Sequence, residues 1–261
     1  YALDLRKLIN WNHANTQEAV YPGEPDRYQN AAYLFNQKEE GSSTKTTAGT
    51  GTGAGTGESN ETNHFTIMDS EGNTISSTQT INGLMGSGVV VGGTGIVLNN
   101  QMDDFTSKVG GRNHFGAIGG YNNLITPEKR PLSSMSPTIV FEKTKSGLQP
   151  ILALGTAAGT RILTCVTQTI LNYLDFKLPL DQAVLAVRYH QQWYPDEIRI
   201  DGKYLPESTI NILEQLGHKI HYEDLDCRIQ AIAREGTGPS DIVLHGVSDP
   251  RGGVDCSARG I

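Results

Sequence analysis

The segment TNHFTIMDSEGNTISSTQTIN, residues 62–82, is the stretch from which the fold can be built. Apolar side chains at Phe65, Ile67 and Ile75 alternate with polar ones on either side of a turn-forming sequence at 70–73. Alternation with a period of two is typical of half-buried strands, and a short polar turn between two such runs predicts a β-hairpin. The folded part of the chain therefore begins with two antiparallel strands.

The register of this hairpin decides which residues lie beside its first residue. A turn centred on Glu71-Gly72 places Thr62 opposite Ile81, with Thr80 and Asn82 on either side of Ile81. Strand parity then directs Thr80 and Asn82 to the other face, unless the register slips by one residue or a bulge intervenes. The residues alone leave the direction of these two side chains open.

Upstream of the hairpin the composition changes. Residues 41–61 are dominated by Gly, Ser, Thr and Ala, and such a stretch buries too little apolar surface to offset the entropy of ordering it. We interpret it as a flexible linker. A phosphate-binding loop is disfavoured, because the Gly-Lys-Ser/Thr end and the following helix of such loops are missing. Residues 1–40 are mixed and polar and do not resemble a self-sufficient domain.

Downstream of the hairpin, strands are grouped before and after helices. Apolar spacing and turn residues predict a second hairpin over 136–154, helices over 161–174, 180–190 and 207–216, and closing strands at 219–222, 228–233 and 242–246. This grouping favours an α+β layered domain over alternating βαβ units.

Composition narrows the class of partner. The 261 residues carry a formal net charge of -7, which argues against a nucleic-acid or anionic-membrane surface, since both need clustered Lys and Arg. No run of eighteen apolar residues is present, and the first residues lack the pattern of a secretory signal. Small molecules or another protein are the expected partners.

Cysteine and histidine spacing predicts no metal centre. The three cysteines, Cys165, Cys227 and Cys256, are odd in number and widely spaced, so we expect plain thiols rather than a disulfide framework or a zinc site. His218 and His221 lie in a segment that favours a strand, where a spacing of three residues sends the two rings to opposite faces. No metal or other cofactor is expected.

Thr62 has the position that one type of nucleophile requires. A threonine hydroxyl reacts poorly without a base, and its own α-amino group, with an unperturbed pKa of about 8, can serve as that base once the N-terminus is free. Cleavage after Glu61, at the end of the flexible linker, would free it. Spacing alone leaves open whether Thr62 is a nucleophile or only the first residue of a strand.

Several separate blocks, in the same order, resemble the small subunit of the γ-glutamyltransferase family. They lie at 62–65, 80–82, 98–105, 130–138, 188–193 and 248–251. The most specific are LNNQMDDF at 98–105 and PLSSM at 131–135. The resemblance covers 62–261 and extends to a short tail upstream of the linker.

The resemblance implies a four-layer αββα sandwich of the N-terminal-nucleophile hydrolase type, only part of which lies in this chain. It implies autoproteolysis before Thr62, with 1–40 as the end of the large subunit, 41–61 as a linker and 62–261 as the catalytic small subunit. The partners would be that large subunit, γ-glutamyl amides such as glutathione, and amino-acid or peptide acceptors. By analogy, the location would be periplasmic, secreted or on the outer cell surface.

The resemblance also implies a role for each site residue. Thr62 would form a γ-glutamyl ester, Thr80 would help to activate it, and the lid over the site, at 108–122, would carry Phe115. The backbone of Ala158 and Gly159 would stabilise the oxyanion. The α-amino and α-carboxylate groups of the substrate would be held by Asn82, Gln101, Asp104, Ser133 and Ser134. A zwitterion needs a carboxylate for its ammonium and polar donors for its carboxylate, which these residue types supply.

Three departures from the family pattern keep other functions open. Ala158 replaces a glycine, which is tolerated at negative φ but strained at positive φ. Phe115 replaces a tyrosine whose hydroxyl latches the lid, and the arginine that the large subunit supplies is missing upstream. The alternatives are a relative that processes poly-γ-glutamate or acylates cephalosporins, and an inactive, unprocessed remnant that only binds.

Overall fold

The computed structural model describes residues 6–15, 62–145, 147–201, 205–236 and 241–260. It contains β1 (Thr62–Met68), β2 (Thr74–Thr80), β3 (Thr138–Thr144), β4 (Gly147–Gly155), α1 (Ile162–Leu174), α2 (Leu180–Leu185), β5 (Arg188–His190), β6 (Ile198–Asp201), α3 (Glu207–Gln215), β7 (Ile220–Tyr222), β8 (Gln230–Glu235) and β9 (Val243–Ser248). Short 3-10 helices lie at Gln101–Asp104, Tyr121–Asn123, Gly159–Arg161 and Pro250–Asp255. The predicted α+β class is confirmed. The predicted linker, the Glu61 side of the cleavage site and most of the predicted tail lie outside the described residues.

β1 and β2 form the predicted hairpin, but with a register that differs by one residue. Thr62 pairs with Thr80, so the predicted opposition of Thr62 and Ile81 is wrong. The cause is a three-residue loop at 70–72, closed by the Asp69 carboxylate, which accepts the backbone N–H of Glu71 within the loop and that of Asn73 directly after it. Gly72 ends this loop at φ +92°, a conformation that favours glycine. Because directly paired residues share a face, Thr62 and Thr80 point to the same side of the hairpin.

A four-stranded antiparallel sheet in the order β3-β4-β8-β9 lies at the centre of the fold. Leu152 and Leu154 of β4 belong to the core that α1 covers. The alternate residue Ala153 is buried outside that core, and Gly155 lies against the β1-β2 hairpin. By strand parity, helices therefore cover one face of the sheet and the hairpin covers the other. The described residues supply three successive layers: hairpin, sheet and helices.

A disulfide crosses the core between α1 and the segment before β8. Cys165 and Cys227 are bonded and both are 0% exposed, whereas Cys256 is free. The prediction of plain thiols is therefore wrong for two of the three cysteines. The bonded pair is separated by 62 residues, and only the packing of α1 on the sheet brings the two together.

The helix predicted over 180–190 ends early. α2 stops at Leu185, and 188–190 form β5 instead. Arg188 is 1% exposed and forms an ion pair with Asp249 at 2.5 Å, while its Nη1 donates to the carbonyl of Cys227 at 2.9 Å. A buried charge needs such partners, and an extended backbone directs Arg188 to them. The need of the buried Arg188 charge for polar partners thus decides the backbone here, although the spacing of the neighbouring apolar residues favours a helix.

The residues between β2 and β3 are mostly loops, and they carry much of the candidate site. They include the 3-10 helix Gln101–Asp104 and a small hairpin over 110–119, which we call the lid hairpin. Within the described ranges, no helix is long and apolar enough to cross a membrane.

Candidate active site

Thr62 lies at the start of β1, is 7% exposed, and contacts its strand partner through the side chain. Its Oγ1 is 2.8 Å from the Oγ1 of Thr80. The backbone N–H of Asn82 donates to that same Thr80 oxygen at 2.8 Å. A hydroxyl has one proton and two lone pairs, so Thr80 can accept the Asn82 N–H and still donate its proton to Thr62, which would stabilise negative charge developing on Thr62 Oγ1.

His64 joins the hairpin to the central sheet. Its Nδ1 is 2.7 Å from Thr78 Oγ1, and its ring lies so close to Gly155 that a Cβ atom there would overlap it. Burial lowers the pKa of His64 to about 4, so the imidazole is neutral near pH 7. Ser76 adds a second link by donating to the carbonyl of Leu154 at 3.1 Å. These contacts fix β1 and therefore the position of Thr62.

One cavity contains Thr62 and nearly all the side chains that the sequence singles out. Its wall includes Thr62, Thr80, Asn82, Gln101, Asp104, Phe115, Ser133, Ser134 and Gly159. Of the predicted site residues, only Ala158 is not part of this wall. The structure thus brings together residues that are up to 97 positions apart, while their individual roles stay predictions.

The acidic residue of the cavity is Asp104, at the end of the 3-10 helix that Gln101 begins. Burial and the neighbouring charge of Asp103 raise the pKa of Asp104 to about 6, while His114 acts in the opposite direction. Its carboxylate therefore lies in a setting where an added cation is favourable. Asn82, 3% exposed and at φ +78°, faces the same cavity.

Ser133 and Ser134 lie on the extended segment that leads into β3. Ser133 Oγ accepts the backbone N–H of Met135 at 3.3 Å, and this leaves its proton available for a ligand. Both serines line the cavity. Two hydroxyl groups and a carboxylate in the wall of one cavity suit a small zwitterion.

The turn at 158–159 carries the backbone that was predicted to hold an oxyanion. Ala158 has φ +122° and Gly159 has φ +54°. A positive φ strains a residue with a Cβ atom, so the substitution of alanine for the family's glycine falls in the unfavourable case. Ala158 is 1% exposed and packs in the core, whereas Gly159 reaches the cavity.

Phe115 covers this turn from the lid hairpin. Its ring lies so close to Gly159 that a Cβ atom at Gly159 would overlap it. The lid turn is held internally by Asn113, whose Oδ1 accepts the N–H groups of Phe115 and Ala117 at 3.1 and 3.0 Å. Phe115 therefore sits over the place where the chemistry would occur.

Sequence reasoning missed a hydrogen-bonded group that contacts the turn at 158–160. Thr160 Oγ1 donates to Gln192 Oε1 at 2.7 Å, and His190 Nε2 lies 2.8 Å from the same oxygen. Burial lowers the pKa of His190, which favours its neutral form. The block at 188–193 was recognised as part of the resemblance, but nothing in its spacing indicates that Gln192 supports Thr160.

Metal ligation has no basis in the described geometry. Across the ranges that the structure covers, no three His, Cys, Asp or Glu side chains are grouped to hold an ion. His221 is instead 3.7 Å from Glu223, with its side chain 54% exposed.

The chain matches known proteins of one family. The family model described as Gamma-glutamyltranspeptidase matches residues 1–258. A glutathione hydrolase proenzyme of Escherichia coli (strain K12) is 43% identical over 201 residues, covering 77% of this chain and 33% of that protein. A glutathione hydrolase proenzyme of Pseudomonas aeruginosa is 39% identical over 244 residues, covering 90% of this chain and 42% of that protein.

Solved structures give the same result. A gamma-glutamyltranspeptidase chain from Helicobacter pylori superposes with a TM-score of 0.68 at 39% identity, over 72% of this chain and 98% of that one. A gamma-glutamyltranspeptidase chain from Pseudomonas nitroreducens complexed with L-DON gives a TM-score of 0.63 at 42% identity, over 76% and 96%. The present chain thus matches nearly the whole of each solved chain but only 33% and 42% of the length of the two relatives above.

Proposed function

Because the chain belongs to the gamma-glutamyltranspeptidase family, we propose that it is the nucleophile-bearing part of an enzyme that cleaves γ-glutamyl amides such as glutathione. Membership confirms the predicted N-terminal-nucleophile hydrolase fold. The observation that carries the proposal is the pairing of Thr62 Oγ1 with Thr80 Oγ1 at 2.8 Å, inside a cavity that also contains Asp104.

Before any turnover, one water hydrolyses the Glu61–Thr62 bond, which leaves a carboxylate on Glu61 and frees the α-amino group of Thr62. That amine takes the hydroxyl proton as Thr62 Oγ1 attacks the γ-carbonyl carbon of the substrate. The tetrahedral oxyanion is stabilised by backbone N–H groups at the 158–159 turn. The C–N bond then breaks, the departing amine takes the proton from the Thr62 amine, and a γ-glutamyl ester of Thr62 remains.

The second half of the reaction releases the ester. Water, or the amine of an amino acid or peptide, attacks the same carbonyl carbon, and the Thr62 amine accepts the proton that the attacking group loses. Collapse of the intermediate breaks the ester bond and restores the Thr62 hydroxyl. Water gives glutamate, and an acceptor amine gives a new γ-glutamyl amide.

Substrate selection follows from the polar cavity wall. The Asp104 carboxylate pairs with the α-ammonium of the glutamyl group, and the Ser133 and Ser134 hydroxyls donate to its α-carboxylate. Asn82 and Gln101 complete this set. A site of this kind discriminates strongly against analogues that lack either charged group, because its own polar groups would be left unpaired.

A second polypeptide completes the site in this proposal. Among the described residues, the cavity that Thr62 shares with Asp104 has no lysine or arginine in its wall, although the substrate carboxylate would benefit from a cation. The relatives are named proenzymes and are longer than this chain. We therefore assign the missing cation to a large subunit from the same precursor.

The alternatives have weaker support. The relatives at 39–43% identity are glutathione hydrolases, so processing of poly-γ-glutamate or acylation of cephalosporins is not favoured. If the protein is an inactive remnant that only binds, its chain should stay uncut. An intact mass therefore distinguishes this hypothesis from the proposed enzyme.

An oxidising location is part of the proposal. Disulfides persist mainly in secreted, periplasmic or cell-surface proteins, and the bond between Cys165 and Cys227 supports such a location. The native protein would be alkylated without reductant and analysed by mass spectrometry. In material from an oxidising compartment, Cys165 and Cys227 should stay unalkylated because they are disulfide-bonded, and Cys256 should be alkylated.

The decisive experiment uses the precursor, with its upstream region, as wild type, Thr62→Ala and Thr62→Ser. Intact masses should show a new N-terminus at Thr62 in the wild type and no cleavage in Thr62→Ala. The serine variant keeps a hydroxyl and should cleave more slowly. γ-Glutamyl p-nitroanilide should be hydrolysed only by cleaved protein. An uncut wild type would overturn the proposal in favour of the binding remnant.

A further inference from the structure

The lid hairpin at 110–119 is docked on three separate parts of the molecule. Its backbone is closed by hydrogen bonds from Gly110 and Gly119, and Arg112 bridges to Ile118. The 3-10 helix at 101–104, the catalytic turn at 158–160 and the segment at 190–194 each contact the hairpin. Because position 115 lacks a hydroxyl, the lid must be held by other contacts.

The first contact is a hydrogen bond to a charged group. The backbone N–H of His114 donates to Asp103 Oδ2 at 2.8 Å. Asp103 lies on the 3-10 helix directly before Asp104 and is exposed. The two neighbouring carboxylates therefore face different groups: Asp104 lines the cavity, and Asp103 holds the lid.

The second contact is a stacked pair. The Arg112 guanidinium carbon lies 4.0 Å from the centroid of the Tyr194 ring, within the range of a cation–π interaction. Tyr194 belongs to the segment in which Gln192 supports Thr160, beside the catalytic turn. The lid is thereby connected to the same support as the catalytic turn.

These contacts matter because the lid carries Phe115. Its ring covers Gly159 and lines the cavity that contains Thr62, without a hydroxyl that could hold it there. Its placement depends on the residues on either side of it in the lid. Asp103 accepts a hydrogen bond from His114, the residue directly before Phe115. Arg112, three residues before Phe115, stacks on Tyr194.

We propose that Asp103, through the His114 backbone, and Tyr194, through Arg112, are positioning residues that hold the lid of this protein over Thr62. The hydroxyl latch at position 115 is replaced by a backbone-to-carboxylate hydrogen bond and a stacked cation. The consequence for access to Thr62 rests on the proposed function. The latch itself does not, and it can be tested without catalysis.

The test uses the protein purified with its upstream region, whether or not it is cleaved, as wild type, Asp103→Ala and Asp103→Asn. Hydrogen–deuterium exchange should be about tenfold or more faster at the amides of 112–117 in Asp103→Ala, because a hydrogen bond to a charged group is lost. Asparagine keeps an acceptor oxygen and should stay within about threefold of the wild type. Unchanged exchange in Asp103→Ala would overturn the latch, whatever the activity.

Two further measurements separate a latch from a general structural role. Tyr194→Leu should speed exchange in the lid, while Tyr194→Phe, which keeps the ring, should not. With γ-glutamyl p-nitroanilide, Asp103→Ala should raise KM about tenfold and leave kcat within about twofold, since the lid affects binding rather than the ester chemistry. Equal losses of kcat and kcat/KM would contradict the assignment to the lid. If Asp103→Ala exchanges faster than the wild type, and the wild type has no γ-glutamyl activity, only the proposed function is refuted.

Discussion

The two faces of the β3-β4-β8-β9 sheet differ in how completely the described residues cover them. The helix face has a core of fully buried side chains, a disulfide and a buried arginine with its partner carboxylate. The other face is covered by a two-stranded hairpin, and an open groove of about 600 Å³ runs beside β1 and over β8 and β9. Within the described residues, the helix face is packed by elements of this chain, whereas the face that carries Thr62 keeps an open groove, which we propose that the large subunit covers.

The largest effect is expected on the helix face, at Arg188. Replacing Arg188 with Met leaves Asp249 buried without its main partner and should lower the free energy of unfolding by about 3–5 kcal/mol. Urea unfolding would measure the loss. A paired Asp249→Leu substitution should recover part of it, because no charge is then left unpaired. A loss below 1 kcal/mol would contradict the view that the helix face is held by this ion pair.

The disulfide is the next feature of the same face. A Cys165→Ala/Cys227→Ala double variant should lose about 2–4 kcal/mol of unfolding free energy, since the unfolded chain is no longer crosslinked. Thermal unfolding with and without reductant provides the measurement. Cys256→Ala is the matched control and should change nothing. If the double variant unfolds like wild type, the bond does not stabilise this core.

Gly155 connects the two faces, because it belongs to β4 and accommodates the His64 ring. Gly155→Ala should displace β1 and lower kcat by about a hundredfold, the cost of misplacing a reacting group by about 1 Å. Gly120→Ala meets no atom within 4 Å and is the control. Steady-state kinetics on the processed enzyme measures both variants. Equal activity in the two would show that His64 does not position Thr62.

The pH dependence of the site side follows from Asp104. Its pKa of about 6 means that the carboxylate needed for the substrate ammonium is lost as pH falls through 6, so kcat/KM should be about tenfold below its plateau at pH 5. A glutaryl anilide, which lacks the ammonium group, should show no such limb. Asp103→Asn removes a neighbouring charge and should move the limb to lower pH. If neither the glutaryl anilide nor Asp103→Asn alters the acidic limb of the pH profile, that limb reports the titration of a group other than Asp104.

The smallest effect is expected at Ala158. Ala158→Gly removes the strain of φ +122° and should raise the free energy of unfolding by about 1 kcal/mol, after the greater entropy of unfolded glycine is subtracted. Ala158→Val should lower it. Paired denaturation curves would show the difference. Destabilisation by glycine would mean that the buried methyl group matters more than the strain.

The sequence predicted the helix face and the site face for different reasons. Apolar spacing located α1 and the β3-β4 hairpin without reference to any relative, because these elements bury one regular face. It failed at 188–190, where the ion pair of Arg188 decides the backbone, and at Cys165, whose partner is distant in sequence. Periodicity describes local burial and contains no information about such distant polar partners.

The site residues were found by resemblance rather than by physical reasoning. Spacing left Thr62 as either a nucleophile or the start of a strand, and it gave a hairpin register that was wrong by one residue. The error came from the three-residue loop at 70–72, which the Asp69 carboxylate and Gly72 close. Asp103 and Gln192 remained unnoticed because their contacts depend on loops whose paths the sequence does not specify.

The edge of β1 has a consequence for handling the protein. In the described part of the chain, β1 pairs only with β2, so one edge of a seven-residue strand has no strand beside it. A row of unpaired backbone groups is a template for another strand. Preparations of this chain alone should therefore aggregate at high concentration by edge-to-edge association, and production together with the upstream part of the precursor should keep it dispersed.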